Sequence, residues 1–81
     1  MNEEENTMEQ LLEILKGIRP EIDFEKEQEL IDKGVLDSFD IILLVGELND
    51  AFNIEIGVEH FLPENFNSLA SIYQLVQDLQ K

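Results

Sequence analysis

The chain of 81 residues contains no cysteine and one histidine, His60. The absence of cysteine excludes disulfide bonds, thiolate catalysis by the chain's own side chains and cysteine-ligated zinc. A single histidine without a second one at ligand spacing is typical of a surface or loop residue. There is no glycine-rich phosphate loop, and the segment from Asp32 does not match a calcium-binding loop. We therefore predict neither a metal site nor a catalytic residue.

Basic residues are also scarce, since five Lys and Arg stand against nineteen Asp and Glu, a formal net charge of −14. Such a charge repels nucleic acid and anionic membrane surfaces and attracts basic patches on partner proteins. No apolar run is long enough to span a bilayer, and the acidic start MNEEENTMEQ does not look like a targeting peptide. We expect no nucleic-acid partner, no membrane insertion, a cytoplasmic location and a monomer.

Apolar residues at helical spacing are the main pattern in the sequence. The length predicts one small domain, with a flexible acidic N-terminus at residues 1–6 and a folded domain at residues 7–81. A capping box formed by Thr7 and Gln10 predicts the start of the first helix, which we expect to end near Ile18.

A long connection follows at residues 20–37, in which Gly34 is expected to adopt a left-handed conformation. A connection of this length needs anchors in the core. Apolar residues provide them: Ile22, Phe24, Leu30, Ile31, Val35 and Leu36.

The second helix, expected from about Phe39 to Phe52, has two apolar faces. At helical spacing one stripe, which we expect to be core, contains Ile41, Leu44, Val45, Leu48 and Phe52. The opposite face contains Phe39, Ile42, Leu43, Gly46 and Asp50. A domain of this size cannot bury a helix on every side, so the second face predicts a binding surface.

The remaining sequence predicts a short and then a longer helix. Asn53 is a plausible C-cap, the segment VEHFL is expected to form one helical turn before Pro63, and Asn67 or Ser68 is expected to cap the last helix. The apolar face of that helix contains Leu69, Ile72, Tyr73, Leu75, Val76 and Leu79. The fold class is therefore all-α, a four-helix bundle with a short third helix and a long first loop.

The stretch GVLDSFD leaves two interpretations of Ser38 open. One is that Ser38 is an N-cap, because Ser and Asp are preferred at that position. The Asp37–Ser38 pair taken alone favours this interpretation. The other is that Ser38 accepts a phosphate-linked group, since the free N–H groups and dipole of a helix N-terminus stabilise a phosphodiester. Catalysis by Ser38 as a hydrolase is disfavoured, because no histidine is placed to complete a triad.

Motif, length and helix order together resemble the acyl carrier protein superfamily over nearly the whole chain. The family pattern of an apolar residue, Asp, Ser and an apolar residue is matched by Leu36, Asp37, Ser38 and Phe39. The resemblance implies a 4′-phosphopantetheine arm on Ser38, preceded by the acidic Asp37. It also implies that Phe39, Ile42 and Gly46 face partners and that Ile56 lies near the arm.

Leu43 shares the partner-facing surface, and acidic neighbours would steer a basic partner to it. The predicted partner-binding residues are therefore Phe39, Asp40, Ile42, Leu43, Gly46, Glu47, Asp50 and Ile56. Two of them depart from the family pattern: Phe39 is bulkier than the usual Leu or Met, and Leu43 replaces a residue that is often acidic in fatty-acid carriers. The long segment IGVEHFLPENFNSLASI favours stand-alone D-alanyl carriers or discrete carriers of secondary-metabolite pathways.

The implied function is to carry an acyl or aminoacyl group as a thioester, without catalysing a reaction. The implied partners are a phosphopantetheinyl transferase, which uses coenzyme A and Mg²⁺, a loading enzyme and downstream transferases. An alternative is an acidic helical protein-interaction module without a prosthetic group.

Overall fold

The computed structural model describes residues 3–80, with side chains for residues 7–80. Its elements are α1 (Glu3–Ile18), α2 (Ser38–Phe52), a 3-10 turn (Val58–His60), α3 (Pro63–Phe66) and α4 (Leu69–Leu79). No strand occurs between residues 3 and 80. The predicted all-α fold with a short third helix is therefore confirmed.

Helix α1 begins at Glu3, so the predicted start at Thr7 is wrong, whereas the predicted end near Ile18 is confirmed. Met1 and Asn2 lie outside the described residues. The flexibility of residues 1–6 and the domain boundary at residue 7 stay predictions.

The core lies between α1, α2 and α4. Helix α2 contributes Ile41, Leu44, Val45 and Leu48, which are buried as predicted, while Phe52 at its end is half-buried and packs against the core. Ile72, Leu75 and Val76 of α4 are buried in the same core, and Leu69, Tyr73 and Leu79 are half-buried. Each fully buried aliphatic side chain contributes about 1.5–3 kcal/mol to folding.

The long connection between α1 and α2 is fixed by the core, as predicted. Phe24, Leu30 and Leu36 are buried, and Ile22, Ile31 and Val35 pack against the core. Gly34 has φ +71°, which confirms the expected left-handed conformation. A connection without helical structure of its own is thereby held in one place, directly before α2.

The helix ends match most of the cap predictions. Asn53 ends α2 in the left-handed conformation at φ 54°, and its N–H donates to the carbonyl of Asn49. Of the two candidate caps for α4, Ser68 is the N-cap and accepts a hydrogen bond from the Ser71 N–H. The 3-10 turn lies before Pro63 as predicted. Within the described chain, no helix has the length and apolar content needed to cross a membrane.

Candidate functional site

The N-terminus of α2 is capped by Asp37 and not by Ser38. An Asp37 carboxylate oxygen accepts a hydrogen bond from the Asp40 N–H at 2.9 Å, and Asp40 Oδ2 accepts one from the Asp37 N–H at 3.2 Å. This reciprocal capping box leaves Ser38 as the first residue of the helix, with its side chain exposed. The N-cap interpretation of Ser38 is therefore wrong, and its hydroxyl is not used by the cap.

Asp40 lies beneath this helix start and not on the exposed partner surface where it was expected. The residue is 7% exposed, and its Oδ2 lies 2.6 Å from Arg19 Nη1. Asp40 is buried because helical spacing turns it towards the end of α1, where Arg19 supplies its countercharge. Its predicted role at the docking surface is corrected to a structural one.

Arg19 pairs with Glu21 as well as with Asp40. Its Nε lies 2.7 Å from Glu21 Oε2, and the hydrogen bonds to Glu21 and Asp40 raise the pKa of the guanidinium. The pKa of Glu21 is lowered by a backbone hydrogen bond and by the hydrogen bond from Arg19. The sequence analysis missed Arg19, although a lone arginine just after a helix end in so acidic a chain is a signal for such a pair.

An apolar groove of about 420 Å³ opens beside Ser38. One wall comes from the connection before α2, the floor from the start of α2 and the other wall from α3 and the residues before it. The lining residues are Ile31, Gly34, Leu36, Asp37, Ser38, Ile41, Ile42, Phe61, Leu62, Pro63 and Phe66. A flexible group attached at Ser38 would find apolar surface within reach.

The exposed apolar patch on α2 lies on the face predicted for it. Phe39, Ile42 and Leu43 are 67%, 62% and 44% exposed, respectively. Gly46, Glu47 and Asp50 are exposed on the same helix. The structure therefore brings most of the predicted partner-binding residues together on one helix that begins at Ser38.

Ile56 does not belong to that surface. Its side chain is buried in the core, and its N–H donates to Asn49 Oδ1 at 2.8 Å. Its burial contradicts the predicted place among the partner-binding residues, whereas its position near the arm stays a prediction. The alternation of Ile54, Glu55 and Ile56 indicated this burial, since the two isoleucines are both buried and the glutamate is exposed.

The segment around the 3-10 turn adds exposed apolar residues that the sequence analysis did not assign. Val58, Phe61 and Leu62 are exposed, and the Phe61 ring packs edge-on against Phe66 with centroids 6.3 Å apart. His60 is half-buried, and its Nδ1 accepts a hydrogen bond from the Gly57 N–H at 3.2 Å. In the sequence, the apolar residues clustered in the connection between α2 and α3 could have indicated this wall of the groove.

These features define a small helical carrier: a serine at a capped helix start, an apolar groove beside it and an exposed apolar helix face. The family model for the phosphopantetheine attachment site matches residues 8–76. The chain is 37% identical over 54 residues to the D-alanyl carrier protein of Streptococcus pyogenes serotype M5 (strain Manfredo). The alignment with serotype M1 has the same identity, and each covers 67% of this chain and 68% of the relative.

The chain therefore belongs to the phosphopantetheine attachment site family, within the acyl carrier protein superfamily. Its members are carriers and not enzymes, and their prosthetic group is 4′-phosphopantetheine. Carriers of this kind interact with phosphopantetheinyl transferases and loading enzymes.

Proposed function

We propose that the chain carries a D-alanyl group as a thioester on a 4′-phosphopantetheine arm attached to Ser38. The observation that carries the attachment site is the geometry of the helix start. Asp37 and Asp40 make the capping bonds, and the exposed hydroxyl of Ser38 is left out of the cap. A serine that was needed only to begin the helix would occupy the position that Asp37 occupies.

The surroundings of Ser38 suit a phosphodiester. Ser38 and Phe39 are the first two residues of a 15-residue helix, where backbone N–H groups have no preceding helical carbonyl as a partner. These N–H groups and the helix dipole stabilise a negative charge at that end. The residues present therefore fit a phosphate-linked arm on the Ser38 oxygen.

A carrier without cysteine depends on the arm for thioester chemistry, because the chain itself supplies no thiol. When attached, 4′-phosphopantetheine supplies that thiol and the reach to visit several enzymes. The chain contributes the attachment oxygen, the apolar groove and a surface that docks partners. Tethering raises the effective concentration of the cargo at a docked enzyme.

The choice of D-alanine as cargo is supported by the similarity to D-alanyl carrier proteins. It is also supported by Leu43, an apolar residue at a position that is often acidic in fatty-acid carriers, which the structure leaves exposed on α2. Fatty-acyl cargo is the alternative that the experiment below separates from D-alanine.

We further propose that the exposed patch of Phe39, Ile42 and Leu43 docks the loading enzyme. The patch begins next to Ser38, so an enzyme bound there is close to the arm. Glu47 and Asp50 lie on the same helix in a chain of net charge −14, which complements an apolar socket with a basic rim. We also propose that the protein acts as a cytoplasmic monomer.

The attachment site is tested by intact mass after incubation with coenzyme A, Mg²⁺ and a phosphopantetheinyl transferase of broad specificity. Wild type and Ser71→Ala, a serine variant in another helix, should each gain the mass of one phosphopantetheine. Ser38→Ala should gain nothing. Equal modification of Ser38→Ala would refute the assignment, and an unmodified wild type would favour a protein-interaction module without a prosthetic group.

The cargo is tested by offering the modified protein to a D-alanine-activating enzyme with ATP and either D-alanine or L-alanine. In parallel, an acyl-transferring enzyme with fatty-acyl donors is tested. We expect a mass gain of one alanyl group from D-alanine and none on the unmodified protein. Exclusive loading by fatty-acyl donors would overturn D-alanine as the cargo while leaving the carrier function in place.

The docking surface is tested by Ile42→Asp and Leu43→Asp, with Ala70→Asp as a control of equal charge on the exposed surface of α4. The α2 variants should remain folded by circular dichroism but show weaker loading, through a higher KM for the carrier. The α4 variant should load normally. Normal loading of all three variants would show that the patch has another purpose.

A further inference from the structure

Asn67, between α3 and α4, binds the long connection that precedes α2. Its side-chain oxygen accepts hydrogen bonds from the N–H groups of Ile31 and Asp32, at 3.0 and 3.1 Å. Its side-chain nitrogen donates to Asp32 Oδ2 at 3.2 Å, and its backbone carbonyl accepts from the Leu30 N–H at 2.8 Å. One residue thus makes four hydrogen bonds to three consecutive residues that are 35–37 positions earlier.

A short path of hydrogen bonds leads from this contact to the helix start. The Leu30 carbonyl accepts a hydrogen bond from the Leu36 N–H at 2.9 Å, so residues 30–36 form a closed loop. Leu36 is buried and lies two residues before Ser38. Movement of Leu30 away from Asn67 would therefore displace the chain immediately before Ser38.

The same contact joins the two walls of the groove. Ile31 and Gly34 line one wall, and Phe66, the residue before Asn67, lines the other. The two walls come from segments that are distant in sequence, and Asn67 connects them by side-chain hydrogen bonds at one end. Asn67 thus ties the segment that contains one wall to the residue next to the other wall.

We infer that Asn67 is a positioning residue that clamps residues 30–36 to the α3–α4 junction and thereby sets the groove and the placement of Ser38. This inference rests on the proposed attachment at Ser38. The oxygen of Asn67 has to face the two backbone donors, and the amide nitrogen is then free to bond the Asp32 carboxylate. The clamp thus requires an acceptor and a donor on one side chain.

The donor and acceptor can be exchanged by substitution, which gives a sharp test. Asn67→Ala removes all three side-chain bonds. Asn67→Asp keeps the acceptor but places a carboxylate against the Asp32 carboxylate. The double variant Asn67→Asp with Asp32→Asn restores a complementary pair with donor and acceptor exchanged. Asn49→Ala is the matched control, because Asn49 bonds the Ile56 N–H of the connection after α2, away from the groove.

Amide hydrogen exchange measures the clamp without any modification of Ser38. Asn67→Ala loses the acceptor of two backbone N–H groups, and in Asn67→Asp two carboxylates repel each other at the same contact. In both variants we expect exchange at Ile31, Asp32 and Leu36 to be about three- to tenfold faster, through easier local opening. The double variant should return to within about twofold of wild type. Asn49→Ala should leave these three amides unchanged.

Transferase kinetics then measure the placement of Ser38. In both single Asn67 variants, kcat should fall about three- to tenfold with little change in the KM for the carrier, because the patch on α2 is untouched. The double variant should recover kcat. Circular dichroism at the assay temperature confirms that each variant is folded.

Three results would overturn the inference: unchanged exchange at Ile31 and Leu36, failure of the double variant to restore kcat, or an Asn67→Ala chain that is unfolded throughout. In the last case Asn67 would be a general stability residue. An unmodified wild type would instead count against the proposed function, and the hydrogen-exchange result would still decide whether the clamp exists.

Discussion

The two apolar faces of α2 differ in what covers them. One face places Leu44 and Leu48 in the core, where they are 1% and 0% exposed, and the other leaves Phe39 and Ile42 more than half exposed. Both faces contain at least three large apolar residues in sequence, so the presence of such residues alone does not distinguish a core from a binding surface. Their difference arises from the number of elements available to cover a helix in a chain of 81 residues.

Truncating one leucine on each face of α2 tests this difference most strongly. Leu48→Ala should lower the free energy of unfolding by about 2–5 kcal/mol, because it leaves a cavity in the core. Leu43→Ala, the same change on the exposed face, should alter it by less than about 0.5 kcal/mol. Urea denaturation of both variants measures the difference, and comparable losses would show that the second face is also covered in solution.

The two faces were predictable because each depends on local spacing and on chain length. Periodicity of 3.6 residues assigned Ile41, Leu44 and Leu48 to one stripe, and the small size of the domain left no element for the opposite side. The left-handed Gly34 and Asn53 were likewise indicated by residue type, since few residues tolerate positive φ.

Asp40 and Ile56 were wrongly assigned to the exposed partner surface because their burial depends on distant parts of the chain. Asp40 is buried because Arg19, 21 residues earlier, reaches it with a countercharge. Ile56 is in the core because the connection after α2 folds back over α2 and is held by Asn49. The groove and the Asn67 contacts also join remote segments, and helical spacing carries no information about such pairs.

Acidic residues on α2 give the second comparison. Asp40→Asn removes the charge that pairs with Arg19 at a buried position, and should cost about 1–2 kcal/mol. Asp50→Asn is the matched control on the exposed side, near the negative end of the helix dipole, and should be neutral or slightly stabilising. Urea denaturation at neutral pH tests both, and equal effects would contradict the structural role of Asp40.

The salt dependence of the melting temperature distinguishes charge repulsion within the molecule from self-association through its exposed apolar face. A net charge of −14 on a small domain causes self-repulsion, so the melting temperature should rise by several degrees between low salt and about 0.15 M NaCl. Mg²⁺ should act at lower concentration than Na⁺. The increase should not depend on protein concentration, whereas concentration dependence would indicate self-association through the patch of Phe39, Ile42 and Leu43.

The last prediction concerns Glu21, the second carboxylate bound by Arg19, and its small contribution to stability. The pKa of Glu21 is lowered in the folded protein by a backbone hydrogen bond and by Arg19, so the charged form is favoured there more than in the unfolded chain. Its contribution to stability is therefore present above the ordinary carboxyl pKa of about 4.3 and is lost as the pH falls through the lower folded value. Arg19, whose pKa is raised, stays charged throughout this range.

Glu21→Gln removes this titration while keeping the shape of the side chain. We expect wild type to melt slightly above the variant at pH 7, with the difference shrinking below about pH 4 and absent near pH 2. Comparing the two proteins at each pH cancels the general relief of repulsion that acid brings to so acidic a chain. A difference that grows on acidification would have the wrong sign for a lowered pKa. Because Glu21 is exposed whereas Asp40 is buried, Glu21→Gln should cost less than Asp40→Asn at neutral pH, and the reverse order would show that Arg19 serves the exposed carboxylate and not the start of α2.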